Sequence, residues 1–169
     1  MPSGYADEWA ERLRQPQEAA ERRTGSILIF RIAELTLGLQ ATYVKAIVEP
    51  RAICPLPHRR NTAFLGLIAF SGDIIPCCSL AHLLGLADNT EGTQRRTLIL
   101  QDAAEMQWAI PIGAALTMAI ETDRKPLNTK EKADTLPAGW QLKTLTGEDK
   151  GALVLNPEML FSSLVRAAG

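Results

Sequence analysis

Apolar residues come in short runs from Ile27 onward. Ile27 to Ile32 reads Ile-Leu-Ile-Phe-Arg-Ile, and after Ala33 and Glu34 the leucines Leu35, Leu37 and Leu39 alternate with Thr36, Gly38 and Gln40. A period of two puts successive side chains on opposite faces of a strand, so the pattern predicts a hairpin turning at Ala33 and Glu34. A second hairpin is predicted further on. Thr97 to Leu100 reads as a strand and Gln101 to Glu105 as its turn, and Trp108, Ile110 and Ile112 return in alternation with Ala109 and Pro111.

The two halves also end alike, over residues 72 to 84 and 147 to 160. In the first, Gly72-Asp73 leads to Ile74 and Ile75, Ser79 caps a turn holding Leu80, Leu83 and Leu84, and Gly85 stops it. In the second, Gly147 leads to Leu153 to Leu155. Asn156 then caps a helix with Pro157 at its first position, and Met159, Leu160, Leu164 and Val165 form its apolar stripe. Residues 88 to 96 are polar and turn-rich, as a connector between two lobes would be. Because no helix of about ten residues or more separates the strands, an all-β fold of small barrels with short helices is expected over a doubly wound sheet. The expected division is a tail, 1 to 26, and one domain, 27 to 169, with lobes at roughly 27 to 87 and 97 to 165 and a groove at their seam.

The tail is charged, carries Pro16, and offers only Trp9 and Leu13 at helical spacing, either as an edge contact or as a docking peptide. Its charges, from Asp7 to Arg23, leave no apolar segment for a secretory signal. Ala63 to Ala87 is the longest apolar stretch, and Gly66, Gly72, Asp73, Pro76 and His82 interrupt it, so no membrane span is expected. Cysteines 54, 77 and 78 are odd in number without a Cys-x-x-Cys spacing, which suits reduced thiols in a cytoplasmic protein. With 46% hydrophobic and 22% charged residues in 169, a well-buried core is available, and a net charge of -1 with scattered basic residues gives nucleic acid no footprint.

Candidate chemistry is sparse. His58 and His82 are the two histidines, too far apart for a zinc site with the cysteines, so no metal is expected. Cys77 and Cys78 adjoin in a strand and should point to opposite faces as small hydrophobes. Phe70-Ser71-Gly72-Asp73 lacks the first glycine and the helix of a nucleophile elbow. Neither a dinucleotide fingerprint nor a Walker loop occurs, so no cofactor is expected. Asp102 with Glu105 and Glu148 with Asp149 read as solvated loop carboxylates, and Leu56 to Asn61 as a solvated basic loop. A small hydrolase would need titratable groups converging in a pocket. A barrel module for proline-rich peptides would need an aromatic groove, which 5% aromatic residues hardly supply.

Taken in order, Leu28-Ile-Phe-Arg-Ile32 through Leu39, Val44 and Ile47, Leu56-Pro57, Phe64-Leu-Gly-Leu-Ile68, Ser71-Gly72-Asp-Ile-Ile-Pro76 and Ser79-Leu80 resemble the CheW-like coupling domains. Leu98-Ile-Leu100, Trp108-Ala-Ile110, Leu153-Val-Leu-Asn156 and the terminal helix extend the likeness over about residues 27 to 165. Glu49-Pro50-Arg51, Leu56 to Arg60 and Ser79-Leu80 with Leu83-Leu84-Gly85 are most similar to the auxiliary couplers of Wsp-type surface-sensing pathways. The resemblance implies two five-stranded SH3-like barrels sharing a core, with a C-terminal helix. It implies a non-catalytic adaptor that joins the regulatory domain of a CheA-type histidine kinase to the cytoplasmic tips of methyl-accepting chemoreceptors in an array.

By position, Ala41, Val44, Ala46 and Ile47 fall in the receptor-facing strand region, and Gly66 to Gly72 matches the family's Gly-x-x-x-x-Arg-Gly turn. The family's arginine there is Ser71, and the glutamate that commonly pairs with it is Ala46. Losing both partners strands no charge and leaves a more apolar surface. Ala41, Val44, Ile47, Leu65 and Leu67 are then the candidate apolar anchors, with Ala46 and Ser71 the retuned positions.

Overall fold

A computed structural model describes residues 25–58, 60–87, 95–120, 124–126, 140, 143–145 and 152–169. The segment holding Trp9 and Leu13, most of the connector and the pair Glu148 and Asp149 lie outside the described residues. Both predicted hairpins form. β1 (Ser26–Ile32) pairs with β2 (Leu35–Gln40), closing at Ile32 and Leu35, and β6 (Arg96–Gln101) pairs with β7 (Gln107–Ile112), closing at Gln101 and Gln107. Asp102 shapes the second turn: its Oδ1 accepts from the backbone N–H groups of Ala104 (2.9 Å) and Met106 (3.0 Å). Turn formation occupies this carboxylate.

The other strands are β3 (Val44–Val48), β4 (Phe64–Phe70), β5 (Asp73–Cys78), β8 (Ala115–Ile120), β9 (Arg124–Pro126), β10 (Lys143–Leu145) and β11 (Leu153–Val154). They assemble into a six-stranded sheet in the order β8-β1-β2-β11-β10-β9 and a five-stranded sheet in the order β3-β6-β7-β5-β4. The described pairings do not close either sheet into a ring. Each sheet holds one parallel contact, β2 with β11 and β7 with β5, among antiparallel ones.

Strands are exchanged between the halves. The first-half hairpin β1-β2 is flanked by β8 and β11, and the second-half hairpin β6-β7 by β3 and β5. The sheets therefore do not coincide with lobes 27 to 87 and 97 to 165. A two-residue turn dictates only the pairing of its own arms, and non-local partners are chosen by burial. The chain changes sheet through the 3-10 turn Ala41–Tyr43, between β2 and β3, and at Gly113-Ala114, between β7 and β8. At the second crossing the Gly113 N–H donates to the Arg31 carbonyl, and the Arg31 N–H to the Ala114 carbonyl, both at 2.9 Å.

Near-continuous apolar runs follow from strands buried on both faces. Leu28, Phe30, Leu37, Leu39, Leu98, Leu100, Trp108 and Ile110 fill a core shared by the two sheets. The opposite face of the five-stranded sheet buries Ile68, Phe70, Ile75, Cys77, Ile99 and Ala109, and that of the six-stranded sheet Ile27, Ile29, Ala152 and Val154. Cys78 points into the shared core and Cys77 away from it, the opposite facing that a strand requires.

Both caps form as well. The Ser79 Oγ accepts from the His82 N–H at the start of α1 (Leu80–Leu83). The Asn156 Oδ1 accepts from Glu158 and Met159 at the start of α2 (Pro157–Ala168). The buried face of α2 is Leu160, Leu164 and Ala167, at i, i+4 and i+7, while Val165 is 56% exposed. Val165 was expected in the stripe, but it follows Leu164 by about 100° of rotation and leaves the contact line.

Candidate partner-binding surface

β3 pairs with β6 on one side, and among the described residues no strand pairs with its other side. The ladder shifts between Val44 and Ala46, leaving Lys45 as the bulged residue. Directly opposed residues share a face, so Val44 opposite Leu100 and Ile47 opposite Leu98 lie on the shared-core face. Ala46 opposite Ile99 lies on the other. Val44 is half-buried against the core, and Ile47, nearer the rim, is 40% exposed. Ala41 is buried in the crossover turn beside β3, which makes it a packing residue. Next to it, Tyr43 meets Phe161 of α2 with ring centroids 5.5 Å apart.

β4 is bulged too, at Leu65. Leu65 packs against the Ile68 and Ile99 cluster together with Ala46, while Leu67 packs against the shared core, as Val44 does. The outer edge of β4 is partly covered, because the Cys54 and Leu67 backbones exchange hydrogen bonds of 2.8 and 2.9 Å. Only glycine permits this approach: Gly66 has φ +143°, and a Cβ there would run into the Cys54 carbonyl. The strap so pinned, Arg51 to Pro57, carries the exposed Ile53 and Leu56.

Ser71 and Gly72 form the two-residue turn between β4 and β5, with φ of 49° and 86° as a type I′ hairpin needs. Beside it Ala69 pairs with Ile74; both are exposed, Ile74 at 72%. The seven sequence-derived residues thus do not converge on one spot. Val44 and Ile47 share the rim of β3, Ala46 and Leu65 share a cluster, and Ser71 stands at a hairpin tip.

A cleft of about 140 Å³ opens at the seam of the two sheets, where Ile32 of β1 meets Leu65, Pro111 and Ile112 of the other sheet, with Ile53 and Arg95 beside them. Drug-sized ligands fill cavities of roughly 300 to 1,000 Å³, so this one suits a side chain rather than a substrate. Arg95 is the ionisable side chain among its lining residues. Burial pushes the Cys77 thiol up to about 12, helped by Cys78, and pushes Cys78 to about 11, so neither is a nucleophile near neutral pH. No group of three or more metal-ligating side chains occurs among the described residues.

The family model for the CheW-like domain matches residues 26–165. The chain belongs to the CheW-like domain family. A solved CheW-like structure, the scaffolding protein TtCheW from Thermoanaerobacter tengcongensis, superposes with a TM-score of 0.68 at 20% identity, over 82% of this chain and 88% of that one. That likeness shows a common fold. No curated protein matches the sequence. Within this CheW-like domain, Ile74 and Val165, which the sequence pattern places in a strand and in a helix stripe, are exposed, as are Ile53 and Met106, which it does not single out. Apolar residues in strand or helix patterns read as core, and only their place at a turn, strap or outer face exposes them.

Proposed function

We propose that this CheW-like domain is a non-catalytic adaptor in chemotaxis-type signal transduction, acting in the cytoplasm between a CheA-type kinase and chemoreceptor tips. The observation that carries the reading is the family match over residues 26–165. The exposed apolar residues add to it: Ile47 at the rim of β3 and Ile74 beside the Ser71 turn are anchors of the kind protein interfaces use. Modest surfaces suffice in an array, where linked contacts add avidity without any single tight interface. Among the described residues no helix is long and apolar enough to cross a membrane.

Ile47 and the half-buried Val44 at the rim of β3 face the receptor in this reading, while Ala46, on the other face of β3, and Ser71, at the β4–β5 turn, leave neutral the positions where the family carries a charged pair and so retune which receptor tip fits. The assignment to a Wsp-type auxiliary coupler rests on Glu49-Pro50-Arg51, Leu56 to Arg60 and Ser79-Leu80 with Leu83-Leu84-Gly85. Titration calorimetry of the purified protein against a kinase regulatory domain, and separately against a receptor tip from the same cell, tests the role. Binding to both partners is expected, with the receptor arm weakened about tenfold or more by Ile47→Asp. Binding to neither overturns the reading.

A further inference from the structure

The strap between β3 and β4 is exposed along its length, from Arg51 to His58 and again at Arg60. It is nevertheless held in place. Cys54 is bonded through both of its backbone groups to Leu67, and Pro50, Pro55 and Pro57 fix φ on either side of it. A surface that is both exposed and rigid binds at the smallest entropic cost. Pro55 and Pro57 also lack N–H donors, so the strap cannot pair edge to edge with another strand, and a partner must read its side chains.

Those side chains are cationic and apolar. From Pro50 to Gly72 the chain has no acidic residue, and Glu49 just before it is paired with Arg96. Arg51 and Arg60 are exposed, and neither has an ion-pair partner among the described residues. Ile53 and Leu56 are exposed as well, and Ile53 borders the seam cleft, whose volume suits one apolar side chain.

We infer that the strap is a docking surface for an acidic segment of another protein, whose carboxylates pair with Arg51 and Arg60 while an apolar residue packs against Ile53 and Leu56. The planar fork of an arginine matches a carboxylate with two parallel hydrogen bonds. An acidic protein fits better than an anionic membrane, because lipid-binding clusters gather roughly four to eight basic residues and the stretch from Pro50 to Gly72 holds three arginines. The strap covers β4, at the opposite edge of the five-stranded sheet from β3, so this surface is separate from the one proposed for the receptor and does not rest on the coupling role.

Titration of the full chain with a short peptide of glutamates carrying two leucines three positions apart, followed by backbone amide NMR, tests it. Shifts are expected at Arg51, Ile53, Leu56 and Arg60, with the glutamine version of the peptide binding about tenfold more weakly. Arg51→Glu combined with Arg60→Glu should weaken the glutamate peptide about tenfold or more, and these exposed changes should leave the rest of the spectrum intact. Arg31→Glu combined with Arg166→Glu makes the same change of charge elsewhere on the surface and should weaken it less than about twofold. Equal losses in the two double variants, or no strap shifts at millimolar peptide, overturn the inference. Binding to phosphatidylserine vesicles that Arg51→Glu with Arg60→Glu abolishes, with the peptide unbound, overturns it in favour of a membrane.

Discussion

β1 and β3 are both apolar strands of the first half, and they meet opposite fates. β1 is flanked by β2 and β8 and buries Leu28, Phe30 and Ile32 in the shared core while Ile27 and Ile29 pack on its other face. β3 pairs with β6 alone among the described residues, carries a bulge at Lys45, and leaves Ile47 40% exposed. Isoleucine is therefore core at position 29 and a candidate contact at position 47. Neighbours on both sides and on both faces make the difference, and an edge strand is where a fold can present an apolar side chain at low cost to its stability.

The largest effect is expected where both faces are buried. Phe30→Ala should lower the unfolding free energy by about 3 to 5 kcal/mol in urea melts, because Phe30 has no exposed surface and leaves a cavity between the sheets. Ile47→Ala should cost less than about 1 kcal/mol in the same melts. Equal losses at the two positions would break the contrast between the strands. Gly66→Ala comes next, at about 1 to 3 kcal/mol, with the Cys54 and Leu67 amides losing exchange protection as the strap is pushed off β4.

β5 extends the contrast to titration. The raised folded-state values of Cys77 and Cys78 mean that the unfolded chain loses these protons first, from about pH 9, while the folded chain holds them to about 12 and 11. Stability from their burial is complete below pH 9 and falls as pH rises from 9 toward 12, so melting temperatures should drop over that window and a Cys77→Ala, Cys78→Ala variant should drop less. Thiol reagents at pH 8 should label the exposed Cys54 and spare the other two until denaturant is added. The smallest effect is that of Ser71→Asn, a residue better suited to a positive φ, which should raise stability by a few tenths of a kcal/mol.

Both hairpins, both helix caps and the opposite facing of Cys77 and Cys78 were legible along the chain, because each depends on residues within a few positions of one another: a strand's period, a cap three residues from its amide, a turn of two. The order of motifs also pointed to the CheW-like family. Which candidates share a surface was not legible. Val44 and Ala46 are two apart, as residues on one face of a strand would be, yet the bulge at Lys45 sends them to opposite faces. Ala41 reads like its neighbours and is buried because the chain changes sheet there.

Sequence alone determined the two hairpins, their turns and the helix caps, since local spacing dictates hydrogen-bonded geometry and side-chain facing within each element. Tertiary structure alone decided that β3 and β8 exchange sheets, that the strap of Cys54 covers Gly66, and that Ile47 and Ile74 face solvent. Those outcomes depend on contacts between residues distant in the chain, where burial of two faces at once, and not any local pattern, selects the partner.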